Sequence, residues 1–233
     1  YFDEYLFNGG FPEYLNFNDT EFLKRTYDDI LYRDIVSRYG IRNVKQFKQL
    51  SHYLFTNFTK DTNYSTLKDN LNFANNTTVS NYIHYLEESY LLFEVFQFDY
   101  SLKKQQSNQK KIYAIDNGLR NSIASQFSKE YGNHLENLIF IELKRRGCEI
   151  YFYRSKKECD FVIVDKGKVS QVIQVTYSLN DANREKEING LLEAMKELRA
   201  DEGTIITAHQ DETLRVDDKN ISVVSAWRWL IDN

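Results

Sequence analysis

The chain has 233 residues, 42% hydrophobic, 15% aromatic and 27% charged, a balance that excludes a disordered tail and suits a globular protein of one or two domains. Lys and Arg number 30 against 34 Asp and Glu, a formal charge of -4, so no global basic excess advertises a nucleic-acid partner, and any such partner must meet a local patch. There is no apolar run of about 18 residues and no signal peptide at the start YFDEYLFNGG, and Cys148 and Cys159 lack zinc-site spacing, so the expected protein neither spans a membrane nor is secreted and sits in a reducing cytoplasm.

Gly9, Gly10 and Pro12 mark a turn, after which the pattern is helical from about Asp19, with Tyr27, Ile30, Leu31 and Ile35 at helical spacing and Gly40 as a stop. No GxxxxGK[ST] phosphate loop occurs, so a nucleotide site of that kind lies outside this sequence. Three helical patterns follow, over Phe47 to Phe58, around Leu67 and Leu71, and over Val79 to Tyr90. Ser65 is the expected cap of the second, and the cluster from Asn75 to Thr78 that of the third. Leu91 to Phe98 and Lys111 to Ile115 read as strands joined by the polar stretch LKKQQSNQKK. Three helices and a hairpin predict a winged helix-turn-helix. From Gly132 the order becomes αβββαβ: a helix over His134 to Arg146, strands CEIYFYR, CDFVIVD and VSQVIQVTY, and a helix over Asp181 to Leu198. TIITAH, ISVV and a short helix, AWRWLIDN, close the chain, with Trp227 and Trp229 as packing residues.

Chemistry is sought where a polar residue interrupts an apolar face. Glu136, Ile139, Phe140 and Leu143 share one helix face, and period two places Asp160 with Val162 and Val164, and Gln174 with Val172 and Thr176. A buried unpaired carboxylate is costly, so Glu136, Asp160, Gln174 and Thr176 are read as converging on one sheet edge, where two carboxylates and an amide oxygen suit Mg²⁺. The competing reading pairs the acids with Arg145, Arg154, Lys156 or Lys157 and makes them structural. His52, His84, His134 and His209 show no metal-ligand spacing, and Cys159 reads as a small buried hydrophobe.

The order of GGFPEYL, ILYRDIVSRYGI, TVSNYIHYLEESYLLFEV, KKIYAIDNGL, GNHLENLIFIEL, ECDFVIV and VIQVTYSL resembles a large bacterial and archaeal family of AAA-type ATPases. In that family an ATPase domain precedes a winged helix and a restriction-endonuclease-like domain long catalogued as of unknown function. The resemblance implies an α/β (α+β overall) chain in three parts: a helical lead-in, 1–44, from an ATPase domain outside this sequence; a winged helix-turn-helix, 45–118; and a PD-(D/E)XK domain, 119–233. ATP would bind only through the domain outside. Glu136 matches the helix acid of the restriction-like pattern and Asp160 the strand Asp, while Gln174-Val175-Thr176 stands where Glu-x-Lys is expected. Gln174 can still offer a carbonyl oxygen to Mg²⁺, but Thr176 cannot supply the lysine's charge. Arg184 and Lys186 are the candidates for a migrated cation. Arg33 and Asp34 belong to the family signature without a role that spacing reveals.

In a winged helix the third helix would present Thr78, Ser80, Asn81 and His84 to a major groove, with Lys103, Lys104, Lys110 and Lys111 of the hairpin loop reaching phosphates. Glu87 and Glu88 on that helix count against DNA, and a packing module is the alternative. The functional expectation is a nucleic-acid-binding or regulatory module of an AAA-type ATPase with a degenerate nuclease-like domain. Its rivals are a Mg²⁺-dependent DNA nuclease using Glu136, Asp160 and Gln174, and a protein-protein or homo-oligomerisation module.

Overall fold

The computed structural model describes residues 1–124, 130–216 and 219–231. They form a mixed α/β protein of two compact units, Tyr1–Glu94 with Gln109–Lys129, and Val95–Asn108 with Glu130–Asn233. The domain expected at 119–233 and the closing helix AWRWLIDN extend in part over residues that lie outside the described ones.

The first unit opens with α1 (Phe2–Asn8) and α2 (Pro12–Phe17), in a stretch whose sequence shows only turn signals. Pro12 stands at the first position of α2, where its missing N–H costs nothing. Asp19 caps α3 (Thr20–Asp29), accepting from Glu21 N at 3.0 Å. The helix runs on through a π-helical stretch, Ile30–Val36, and a last turn, α4 (Ser37–Tyr39), to Gly40, whose φ of 61° ends it as expected. α5 (Val44–Thr56), α6 (Tyr64–Asn70) and α7 (Asn76–Glu88) follow. Asn75 caps α7, but α6 is capped by Asn63 and not by Ser65, which already lies inside the helix. Leu23, Leu31 and Ile35 of the lead-in share one buried core with Phe47, Leu54 and Ile83.

A short sheet in the order β1-β3-β2 joins β1 (Asp61–Thr62), β2 (Leu92–Gln97, of which Leu92–Glu94 belong to this unit) and β3 (Lys110–Ala114). The last element described in this unit is α9 (Asn117–Ile123). The polar stretch before β3 departs from the expected loop: Leu102–Ser107 is a helix, α8, and belongs to the second unit. Lys110 and Lys111, read as loop phosphate contacts, are only 2% exposed in β3, opposite Thr62 and Asp61. Strand pairing withdraws them from solvent, so they form no part of a surface patch.

The motifs GGFP and DNGL meet in this unit. Asp116 caps α9 through Leu119 N at 2.8 Å and accepts from Gly10 N at 2.7 Å. Asn117 and Asn121 donate to the carbonyls of Leu6 and Phe7 at the end of α1. Fully buried Arg120 donates to the Phe55 carbonyl and stacks 4.3 Å over Phe58. A Cβ on Gly118 would lie 2.0 Å from the Asn8 carbonyl oxygen, and one on Gly9 2.2 Å from the Asp116 carboxylate. These motifs therefore describe a structural clamp. Gly118→Ala should force α1 away from α9 and cost about 1–3 kcal/mol, read as a lower urea midpoint with unchanged slope; wild-type stability in that variant would refute the clamp.

The second unit is built on α10 (Tyr131–Arg145) and a mixed sheet. β4 (Glu149–Arg154), β5 (Glu158–Asp165) and β6 (Lys168–Val175) form an antiparallel meander, and Phe96 and Gln97 run parallel to β4. α11 (Arg184–Leu198) then carries the chain to β7 (Glu202–Thr207), parallel to β6. β9 (Lys219–Ser225) is parallel to β7 and carries the edge strand β8 (Glu212–Val216) antiparallel to it. α12 (Ala226–Ile231) follows. β8 is absent from the sequence reading because its polar, mostly exposed residues show no buried face. Val162, Val172, Leu191, Met195 and Ile205 form part of this unit's core. Trp229 lies 4.0 Å under the Arg146 guanidinium, whereas Trp227, expected as packing, is exposed.

Candidate functional site

Glu136, Asp160, Gln174 and Thr176 all line one cleft of about 950 Å³ in the second unit. α10 carries Glu136 on its buried face, β5 carries Asp160, and β6 carries Gln174 with Thr176 one residue past its end. Phe161 opposes Ile173 in the β5–β6 register, so Asp160 and Gln174 are the next residues towards the same end. Asp160 Oδ2 accepts from Val175 N at 2.9 Å, which ties the carboxylate to the β6 backbone. Thr176 Oγ1 donates to the Ser178 carbonyl at 3.3 Å and accepts from Asn183 Nδ2 at 3.2 Å, so its hydroxyl is committed to the following loop.

A fifth residue completes the group. Glu187 of α11 is buried, and Gln174 Nε2 donates to its Oε2 at 2.7 Å. This bond fixes the amide's orientation and leaves Gln174 Oε1 buried with no hydrogen-bond partner among the described residues. Gly190 permits the approach, since a Cβ there would lie 2.5 Å from the Glu158 carbonyl oxygen at the start of β5. Burial pushes Glu187 above the ordinary carboxylate range and Asp160 adds to the rise, while the Lys186 ammonium and the Gln174 hydrogen bond oppose it. Spacing could have found Glu187: it shares a buried face with Leu191, Ala194 and Leu198, the same pattern that singled out Glu136.

Of the two candidate replacement cations, Lys186 reaches the cleft, with Nζ 3.5 Å from Glu187 Oε1. Arg184 instead binds Glu212 at 2.7 and 2.9 Å. Arg145 engages Glu142, Arg154 engages Glu158, and Lys156 and Lys157 stand exposed on the cleft's lip. Among the described residues no group of three or more His, Cys, Asp and Glu is placed to hold a metal ion. Buried Cys159 directs its thiol to the Ile173 carbonyl, in keeping with its reading as a small hydrophobe.

On α7, Asn81 and His84 are exposed. Thr78 is bound to the capping Asn75 at 3.0 Å, and half-buried Ser80 hydrogen-bonds Tyr64. Lys103 and Lys104 are exposed on α8 of the second unit, with Lys104 3.7 Å from Asp99.

Residues 1–130 match a family described as Domain of unknown function (DUF8612), and residues 131–229 match one described as Domain of unknown function (DUF4143). The chain belongs to the DUF8612 family. Its relatives include "Uncharacterized protein MJ1544" of Methanocaldococcus jannaschii, 39% identical over 249 residues that cover 98% of this chain and 55% of the relative. An "Uncharacterized protein" of Haemophilus influenzae is 28% identical over 240 residues, covering 99% and 58%. The chain therefore spans just over half the length of these curated relatives. No solved structure matches it. Among the described residues no helix is long and apolar enough to cross a membrane.

The DUF8612 region holds a buried polar cluster that sequence spacing did not reveal. Tyr64 donates to Glu94 Oε2 at 2.7 Å, and Lys110 Nζ lies 4.7 Å over the Tyr64 ring. Burial lifts the Glu94 carboxyl from 4.5 to about 7 against the pull of Tyr64 and Lys110. A carboxyl whose pKa is raised on folding disfavours the fold when ionised, so the penalty is absent below pH 4.5, grows as pH rises and is complete above about 7. Glu94→Gln should therefore gain about 3 kcal/mol relative to wild type between acid and alkaline pH; urea unfolding at both ends checks this, and a pH-independent difference would refute it.

Proposed function

We propose that this DUF8612 chain is a nucleic-acid-binding module of a larger AAA-type ATPase, whose second unit carries a degenerate restriction-endonuclease-like cleft. The observation that carries the reading is the gathering of Glu136, Asp160, Gln174 and Thr176 in one cleft whose lip bears Lys156, Lys157 and Lys186. A cationic lip over an acidic floor matches a phosphodiester backbone, attracting phosphates at the rim while the floor repels them unless a cation intervenes. Thr176 supports the degenerate reading: it stands where a lysine would stabilise developing charge, and its hydroxyl is bound to Ser178 and Asn183. In the first unit the order α5, β1, α6, α7, β2, β3 supports a winged helix, with Asn81 and His84 as the residues open to a groove. The length of the curated relatives beyond this chain leaves room for an ATPase domain.

A second reading, Mg²⁺-dependent phosphodiester hydrolysis, is favoured by Gln174 Oε1, which has no hydrogen-bond partner among the described residues and lies in the cleft that Asp160 also lines. Asp160 and Gln174 would hold the ion, which supplies positive charge and an activated water. The chain's own part is then to orient these oxygens through Val175 N and Glu187, and to bring Lys186 near the phosphate.

Fluorescence anisotropy with a short labelled duplex tests the module reading. Binding should weaken steeply with salt, and neutralising Lys156 and Lys157 together should lower affinity about tenfold and the salt slope by about 2. Absence of salt-sensitive binding would sink it, and Mg²⁺-dependent cleavage that Asp160→Ala abolishes would put the second reading in its place.

A further inference from the structure

A hollow of about 870 Å³ lies wholly within the first unit, between α3, α5, α9 and the residues that end α6. It arises from the two faces of α5: Phe47, Leu50 and Leu54 enter the core, while Lys45, Lys48, Gln49 and His52, at i, i+3, i+4 and i+7, line the hollow. Tyr27, Leu71 and Ile123 give it an apolar floor. Its walls are held by the protein itself. Tyr27 donates to Ser51 Oγ at 2.8 Å, and Tyr53 accepts Asn70 Nδ2 on its hydroxyl at 3.3 Å and Asn57 Nδ2 on its carbonyl at 3.0 Å. A preformed hollow of about 300–1,000 Å³, with an apolar floor and a few placed polar groups, has the form of a small-molecule site.

The charges around it select the ligand. Three lysines line the hollow against one acid, Asp28, in a chain whose net charge is -4. Lys24 meets Glu21 at 2.6 Å, and Lys48 meets Asp28 at 3.2 Å and the Tyr32 hydroxyl at 3.3 Å, but exposed ion pairs of this kind are weak and yield to a better partner. Lys45 and His52 are exposed, and neither side chain has an ion-pair partner among the described residues. Lys45 and Lys48 repel each other on one helix face, and an anion shared between them removes that repulsion. Tyr32, which holds Lys48, belongs to the π-helical stretch Ile30–Val36, and π-helical turns are rare and frequent at functional sites. We propose that this hollow binds a small aromatic anion, whose charged group lies on Lys45 and Lys48 and whose ring lies on Tyr53, Leu71 and Ile123. The stripe from Lys45 to His52 is about 10 Å long, which matches one such molecule.

Fluorescence titration of the full chain with anilinonaphthalene sulfonate, an aromatic anion, and with phenylnaphthylamine, the same rings without the charge, tests the site. Wild type should bind the sulfonate saturably and more tightly than the neutral probe. Lys45→Glu should weaken the sulfonate about tenfold and leave the neutral probe unchanged. Gln49→Trp, which fills the hollow from its exposed wall, should weaken both, and neither substitution touches the core. Displacement of the sulfonate by adenosine monophosphate would place a phosphate on the lysines, and displacement by naphthoate a carboxylate; displacement by neither would overturn the proposal. Equal binding of the charged and neutral probes, or a sulfonate affinity that both substitutions leave unchanged, would overturn it as well. So would a Lys45→Glu chain that loses affinity for a DNA duplex while keeping the sulfonate, since the stripe would then belong to nucleic acid.

Discussion

A polar group taken out of water must be met by a donor, an acceptor or an ion, and this requirement organises both units. In the first, the Asp116 carboxylate is met by the backbone N–H groups of Gly10 and Leu119, and the Arg120 guanidinium by the Phe55 carbonyl and the face of Phe58. These bonds hold α1, α5 and α9 together through charges that look, in the sequence, like the makings of a site. The requirement is met incompletely in both units: Thr62 Oγ1 and Glu94 Oε1 in the first and Gln174 Oε1 in the second are buried without a hydrogen-bond partner among the described residues. Asp160 accepts from Val175 N, and Glu187 meets Gln174 Nε2 and the Lys186 ammonium.

The geometry of the cleft depends on how closely α11 lies against the sheet. Gly190 and Gly203 both stand where a Cβ would collide, the first with the Glu158 carbonyl and the second with Leu191 and Met195 of α11 itself. Two missing methyl groups therefore set the helix low, and that height brings a helix carboxylate into hydrogen-bond reach of a strand amide. Thr176 is engaged by its own loop, and Lys186 approaches from the solvent side.

The buried cluster of Tyr64, Glu94 and Lys110 shows why a lysine-rich stretch misleads. In sequence, Lys103, Lys104, Lys110 and Lys111 form one basic run; in the fold, two are exposed on α8 and two are withdrawn into β3. Strand pairing with Asp61 and Thr62 decides this, and that partner segment lies about fifty residues upstream.

Periodicity alone determined the elements with a one-sided core: α5, α7, α10 and α11 and strands β4 to β7 follow from apolar spacing, and Asp160, Gln174 and Glu136 stand out as polar breaks on those faces. Caps that lie next to their helices, such as Asn75, were legible for the same local reason. Tertiary structure decided the rest. α1 and α2 depend on the Asp116 clamp more than a hundred residues away, and β8 is a polar edge strand defined only by hydrogen bonds to β9. Glu187 joins the site because Gly190 lets α11 approach β5. Spacing records which side of an element faces inward, but not how near two elements come, and both a hydrogen bond and a cation site are settled within a few tenths of an ångström.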